Sequence, residues 1–406
     1  MKIMYVLALD VSMGKSYVVI YHENTCLFEQ EILHDKTHFN ALLQEIYALP
    51  ERPQIVFEAT GVYSRVIETF YQKNHFAYCL LNPLEAKKQL NIDLRSVKTD
   101  KRDAHRLAQT HGQFLRKQKQ SQTEVYKQTR DFARFYQQIE RDIKRTRMNL
   151  HTALQLTFPE LETLFTNRLS KLALNLVELF PHPDYLAHLS QTKVKNVLKK
   201  NTDKKISDQK ALAKAQTLLS LAQNSYPAES GQSISVQKVV YYAQQLKQLL
   251  VTKEQLAKQL VEIAKQTIEF DFYQSIPGIG ELSAGLIIGE LGDIRRFSSH
   301  KQLNAFVGVD TRRYQSGKYT AKEHMNKHGN PKARKNLYFI MMNMIRQQAA
   351  GPNHLVDYYY KLKTQPSPKK HKVALVACIN KLLKCLHSMV RHSSPYDYSY
   401  TASNDQ

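Results

Sequence analysis

The chain has 406 residues, with 58 lysines and arginines against 36 aspartates and glutamates, for a formal charge of +22. That length allows two or three domains, each burying its own core, and the positive excess favours a polyanion as partner. No uncharged apolar run approaches the ~18 residues of a membrane span, and MKIMYVLALDV is broken by Asp10 with no cleavage site behind it, so a soluble intracellular protein is expected.

Residues 3 to 9, IMYVLAL, read as a strand ending at Asp10, and SYVVIYHE and CLFEQEIL follow at hairpin-like spacing. THFNALLQEIYALP is helical, QIVFEATG is a strand stopping near Glu58, VYSRVIETFYQKN is a helix and FAYCLL a further strand. The order βββαβαβ with helices to follow predicts a mixed sheet covered by helices. This α/β unit spans residues 1 to 118, and the segment around Asp100 supplies its last helix. Residues 119 to 270 form a helical middle, with long amphipathic tracts near 123 to 151 and 236 to 267 suited to a coiled-coil pair. A lysine-rich insertion occupies 159 to 235, read equally well as a solvated helical layer or a nucleic-acid contact. Residues 271 to 392 form a mostly helical C-terminal domain, and 393 to 406 a disordered tail. Cys26, Cys79, Cys378 and Cys385 are scattered without CxxC spacing, which predicts reduced thiols.

In VKTDKRDAHRLAQ, Asp100 and Asp103 share one helix face. Asp10 and Glu58 each close a strand, and ligands of open sheets gather beyond the carboxyl ends of parallel strands. Together the four side chains make a hard oxygen cluster suited to Mg²⁺ or Mn²⁺, whereas the Asp pair alone would be an ordinary solvated face. In SIPGIGELSAGLIIGELGDI, Pro277, Gly278 and Gly280 form a tight turn before an apolar helix whose N-terminal N–H groups suit a phosphate. This is the pattern of a helix-hairpin-helix backbone grip, with a plain helix-turn-helix core as its alternative.

The stretch 311 to 338 packs Arg312, Arg313, Lys318, Lys322, Lys327 and Arg334 around Ser316, and Gly317 removes a side chain beside the hydroxyl. A serine becomes a nucleophile only with help from a base, a metal or fixed geometry. Tyr314 and Tyr319 are rivals at the same place, and a Ser-Gly pair is more often a simple turn.

LALDVS, FEATGVYS, NPLEAKK and KTDKRDAHRLA, in this order, resemble the N-terminal RuvC-like domain of IS110/IS1111 family transposases. IPGIGELSAGLIIGELGDIRRFSSHKQLNAFVGV and QSGK...KHGNPKARKNLY resemble their C-terminal transposase domain. HMNKHGN departs from the HISKRGN expected there, at Asn326 and His328. The resemblance implies an RNase H-like fold and makes Asp10, Glu58, Asp100 and Asp103 an acidic tetrad for divalent metal. It also implies that Ser316 becomes covalently joined to DNA, that tetrad and serine from different subunits of a dimer or tetramer build one site, and that a structured noncoding bridge RNA pairs with donor and target DNA. A cytoplasmic, DNA-associated prokaryotic recombinase is therefore expected. The competing readings are a RuvC-like endonuclease using water and a non-catalytic nucleic-acid-binding accessory protein.

Overall fold

The computed structural model describes residues 5–83, 86, 99–114, 116, 118–119, 122–203, 205–312, 315–316, 319–320 and 324–399. Two compact units divide the chain, residues 1–121 and 122–406.

The first unit is built on a five-stranded sheet in the order β3-β2-β1-β4-β5. β1 (Tyr5–Ser12), β2 (Lys15–His22) and β3 (Thr25–Leu33) form an antiparallel meander, and β4 (Gln54–Glu58) and β5 (Tyr78–Leu81) continue parallel to β1. This mixed sheet matches the order read from the sequence. β1 is central and apolar on both faces: Leu7, Leu9 and Val11 join the core under helices α1 (Lys36–Ala48) and α2 (Ser64–Lys73). Val6 and Ala8 face the opposite core, where Ala104, Leu107 and Ala108 of helix α3 (Asp100–His111) pack. The edge strand β3 has a mostly exposed surface and carries Glu29 and Glu31, charges that discourage further strand pairing.

The second unit has two cores. In one, α4 (Glu124–Thr157) packs against α8 (Ile234–Ala264). They run antiparallel: Lys253 Nζ lies 2.9 Å from Glu140 and 5.3 Å from the Tyr136 ring centre, while Val239 and Ala243 share the core with Leu150 and Leu154. The lysine-rich insertion forms α5 (Lys171–Leu179), α6 (Gln191–Lys200) and α7 (Asp208–Asn224). Their apolar sides, including Leu174, Val194, Leu198 and Leu218, complete the same core. Lys195 and Lys199 both pair with Asp208, so part of the lysine surplus is used internally.

The other core holds α9 (Glu269–Gln274), α10 (Glu281–Leu291), α11 (His300–Val307), α12 (Pro331–Arg346), α13 (His354–Thr364) and α14 (His371–His392). By length and composition α14 is apolar enough to cross a membrane. Lys372, Lys381 and Lys384 interrupt its apolar run, so the expectation of no long uncharged stretch is not overturned, and Leu375, Ile379, Leu382, Leu383 and Leu386 are buried in this core. Between α11 and α12 the chain forms nested strand pairs, Thr311 opposite Met325 and Arg312 opposite His324, then Gln315 opposite Thr320 and Ser316 opposite Tyr319. The expectation of a mostly helical domain missed this β arm. The tail is also held further than expected: the Tyr396 N–H donates to Ser275 Oγ at 2.7 Å and Tyr398 Oη donates to Asp357 at 2.9 Å.

Candidate active site

Strand alternation places the first two acidic residues. Asp10 shares a face with Val6 and Ala8, and Glu58 shares one with Val56, so both lie on the α3 side of the sheet. Leu9 is registered with Phe57 on the parallel neighbour, which makes Asp10 and Glu58 adjacent at the carboxyl ends of β1 and β4. Neighbouring strands run about 4.8 Å apart.

Helix α3 brings the other two. Ala104, Leu107, Ala108 and His111 are buried, and stepping back by three and four residues from this stripe reaches Asp100 and Asp103. The sheet-facing stripe therefore begins with two carboxylates. Thr99 caps the helix by accepting from the Arg102 N–H at 3.2 Å, and the positive end of the helix dipole offsets part of the Asp–Asp repulsion.

The direction of α3 is fixed at both ends. His111 Nε2 bonds Gln54 Oε1 at 2.7 Å, where β4 begins. At the other end the Asp100 charge reaches Lys15, contributing, after the larger effects of its partner Glu31, to a raised lysine pKa. Lys15 opens β2 beside the end of β1. Asp100 and Asp103 thus approach the same rim as Asp10 and Glu58.

Sequence reading missed the network that holds α3 sideways. Glu29 accepts from Lys101 Nζ at 2.7 Å and from His105 Nε2 at 2.8 Å, while His105 Nδ1 meets Tyr21 Oη at 2.8 Å. The Lys101 hydrogen bond is the main cause holding the Glu29 carboxyl below its usual range. Among the described residues, Cys26, Glu29 and His105 bring three potential metal-ligating atoms within 4.8 Å of one another. With the Lys101 ammonium already on Glu29, the group works as an internal ion pair. These partners come from β3 and α3, far apart in the chain, and no local motif announces them.

In the second unit the expected phosphate contacts divide. Arg312 is exposed on the arm, and Lys327 is exposed at its base with φ 60°. Arg334 is partly buried, and its Nη1 donates to the Val307 carbonyl at 2.7 Å, tying α12 to α11. Gly278 has φ 91°, and an added Cβ would meet Met344 at 3.0 Å, so this glycine is required for packing. Gly280 has open space around it and precedes α10, whose N-terminus no side chain caps. Arg313, Lys318, Lys322, Tyr314 and Gly317 lie outside the described residues. Ser316 is placed by its backbone in the inner strand pair of the arm.

Residues 7–159 match a family profile described as a transposase, the DEDD type of the IS110 group, and residues 271–355 match one described as the transposase IS116/IS110/IS902 family. The chain belongs to the IS110 family of transposases. Its two family segments contain the tetrad and Ser316 respectively. The transposase for insertion sequence element IS1111A of Coxiella burnetii is 36% identical over 73 residues, which cover 18% of this chain and only 20% of that relative's length.

Proposed function

We propose that this IS110-family protein is a DNA recombinase that moves its insertion sequence by cutting and rejoining strands through a covalent bond between DNA and Ser316. The observation that carries the reading is the gathering of Asp10, Glu58, Asp100 and Asp103 on one side of the sheet at the carboxyl ends of β1 and β4. Four carboxylates are a donor set for Mg²⁺ or Mn²⁺, so these residues fit the divalent metal that a DEDD domain suggests. A divalent ion bound there would neutralise charge on a scissile phosphate and favour loss of the attacking hydroxyl's proton.

Ser316 Oγ attacks phosphorus as its hydroxyl proton leaves. One P–O bond to deoxyribose breaks, and the departing strand end takes up a proton as a free hydroxyl. The phosphate is then a serine ester, and attack by another strand's hydroxyl restores a phosphodiester and the serine. One ester bond forms for each one broken, so no nucleotide is consumed. Arg312 and Lys327, exposed along the arm that carries Ser316, would hold the phosphate backbone without reading bases, as would the α10 N-terminus if Ser275 to Gly280 act as a helix-hairpin-helix turn.

A composite site that joins the tetrad of one subunit to the serine of another, in a dimer or tetramer, belongs to this reading and is supported by family membership. Guidance by a structured noncoding RNA is part of the same proposal, supported by family membership and by the +22 charge. Titration calorimetry with Mn²⁺ tests the metal site. The parent protein should bind in the micromolar to millimolar range, with Asp10→Ala and Asp103→Ala each weakening binding at least tenfold; unchanged binding in both variants would remove the tetrad as the metal site.

A further inference from the structure

At the opposite end of α11 from the Ser316 arm lies an open cleft of about 420 Å³. Ser298, Ser299 and His300 line one side, and Lys384, His387 and Arg391 of α14 line the other, with no carboxylate among the lining residues. Two hydrogen bonds make this a built feature: buried His387 donates from Nε2 to the Phe297 carbonyl at 2.9 Å, and Arg391 Nη1 donates to the Ser298 carbonyl at 3.2 Å. A guanidinium carries five N–H donors, so the bond to Ser298 fixes the group without exhausting it.

The electrostatics point the same way. Burial first, and then the positive charges of Lys384, His387 and Lys301, hold the His300 imidazole below its ordinary range. Positive charge therefore reaches His300 from α14 as well as from its own helix. Hydroxyls beside a lysine and an arginine are the donor set of a phosphate site. The cleft is open, which suits a strand passing across it better than a small molecule enclosed within it.

We propose that this cleft grips the phosphodiester backbone of DNA, as an anchor about 12 Å from the base of the Ser316 arm, the length of the eight-residue α11. The inference rests on the transposase reading only in taking DNA as the polyanion. Lysine and arginine here hold the strand in place and read no bases.

The test is fluorescence anisotropy of the full-length protein with labelled element-end duplex, across a salt series, with a structured RNA as a second ligand. The neutral double variant Lys384→Gln/Arg391→Gln should bind duplex about tenfold more weakly, and the slope of log K against log salt should shrink by about 1 to 2. The charge-conserving pair Lys384→Arg/Arg391→Lys should stay within about twofold of the parent, which separates charge from damage to the fold. Equal binding and equal slope in the neutral variant would overturn the proposal, as would equal weakening by both double variants. A loss confined to RNA would overturn the assignment to DNA. If the parent protein itself bound no duplex, the recombinase reading would fall together with the cleft, an outcome distinct from normal binding by parent and variant alike.

Discussion

His111 lies at the far end of α3 from Asp100, buried between β4 and Arg116. Arg116 Nη1 can only donate, so His111 Nδ1 accepts from it at 3.3 Å, and the ring proton sits on Nε2 to serve Gln54 Oε1. The bond from Arg116 requires the neutral ring, because a protonated Nδ1 could no longer accept it. Burial, followed by the Arg116 charge, pushes the imidazole pKa down to about 4 from 6.5. Between those values the unfolded chain binds the extra proton, so this contribution to stability is complete above pH 6.5 and is lost as pH falls toward 4. Its size is about 3 kcal/mol. Urea denaturation at pH 7 and pH 4.5 checks it: the parent should lose more stability on acidification than His111→Gln does. An equal loss in both would assign the acid sensitivity to other groups.

At the scale of elements, α3 and the β arm each depend on a small set of contacts. Glu29 reaches across from β3 to Lys101 and His105, two residues either side of Asp103. Glu29→Gln keeps the shape and removes the charge. It is expected to lower DNA cleavage about five- to tenfold with duplex affinity nearly unchanged, and raised Mn²⁺ should recover part of the loss. A fall in affinity with normal cleavage at saturation would show that Glu29 acts in binding and not in placing the helix. At the base of the arm, a Cβ on Gly329 would approach the Phe306 carbonyl oxygen at 2.3 Å and the Gly308 nitrogen at 2.4 Å. Gly329→Ala therefore has to separate two backbone segments, at a cost of about 2 to 4 kcal/mol read from the urea midpoint. Wild-type stability in that variant would mean the segments are not held together.

These elements also show what could be read from residues alone. IMYVLAL, SYVVIYHE and QIVFEATG declare strands because their apolar runs end in charge or turn residues, and the Asp100–Asp103 spacing declares a shared helix face. The acidic rim follows from those local signals plus sheet topology. The Glu29–Lys101–His105 network does not, because edge-strand glutamates and helix lysines look like ordinary solvated charge until the fold brings them together. The arm was hidden for a related reason: two-residue strands leave no periodicity. The insertion at 159 to 235 looked like surface because its lysines dominate composition, whereas Leu174, Val194, Leu198 and Leu218 set its packing.

For the whole molecule the controlling quantities are the +22 charge and the division into two units. A protein neutralising about six phosphates should lose about 10³ in duplex affinity between 50 and 200 mM salt. Equilibrium binding across that range checks it, and a flat dependence would mean that the basic surface does not meet the DNA backbone. The division also separates the proposed chemistry: the tetrad is carried by residues 1–121 and Ser316 by residues 122–406. Removing either should abolish strand joining, but only loss of Ser316 should remove the covalent attachment point while leaving Mn²⁺ binding intact.

The most direct measurement combines purified protein, Mg²⁺, labelled element-junction DNA and RNA transcribed from the element's flanking segment, and looks for a denaturation-resistant protein–DNA adduct. Serine recombination requires an adduct that maps to Ser316 and disappears in both Ser316→Ala and Asp10→Ala. Cleavage without any adduct, unaffected by Ser316→Ala, would contradict it and identify water as the nucleophile.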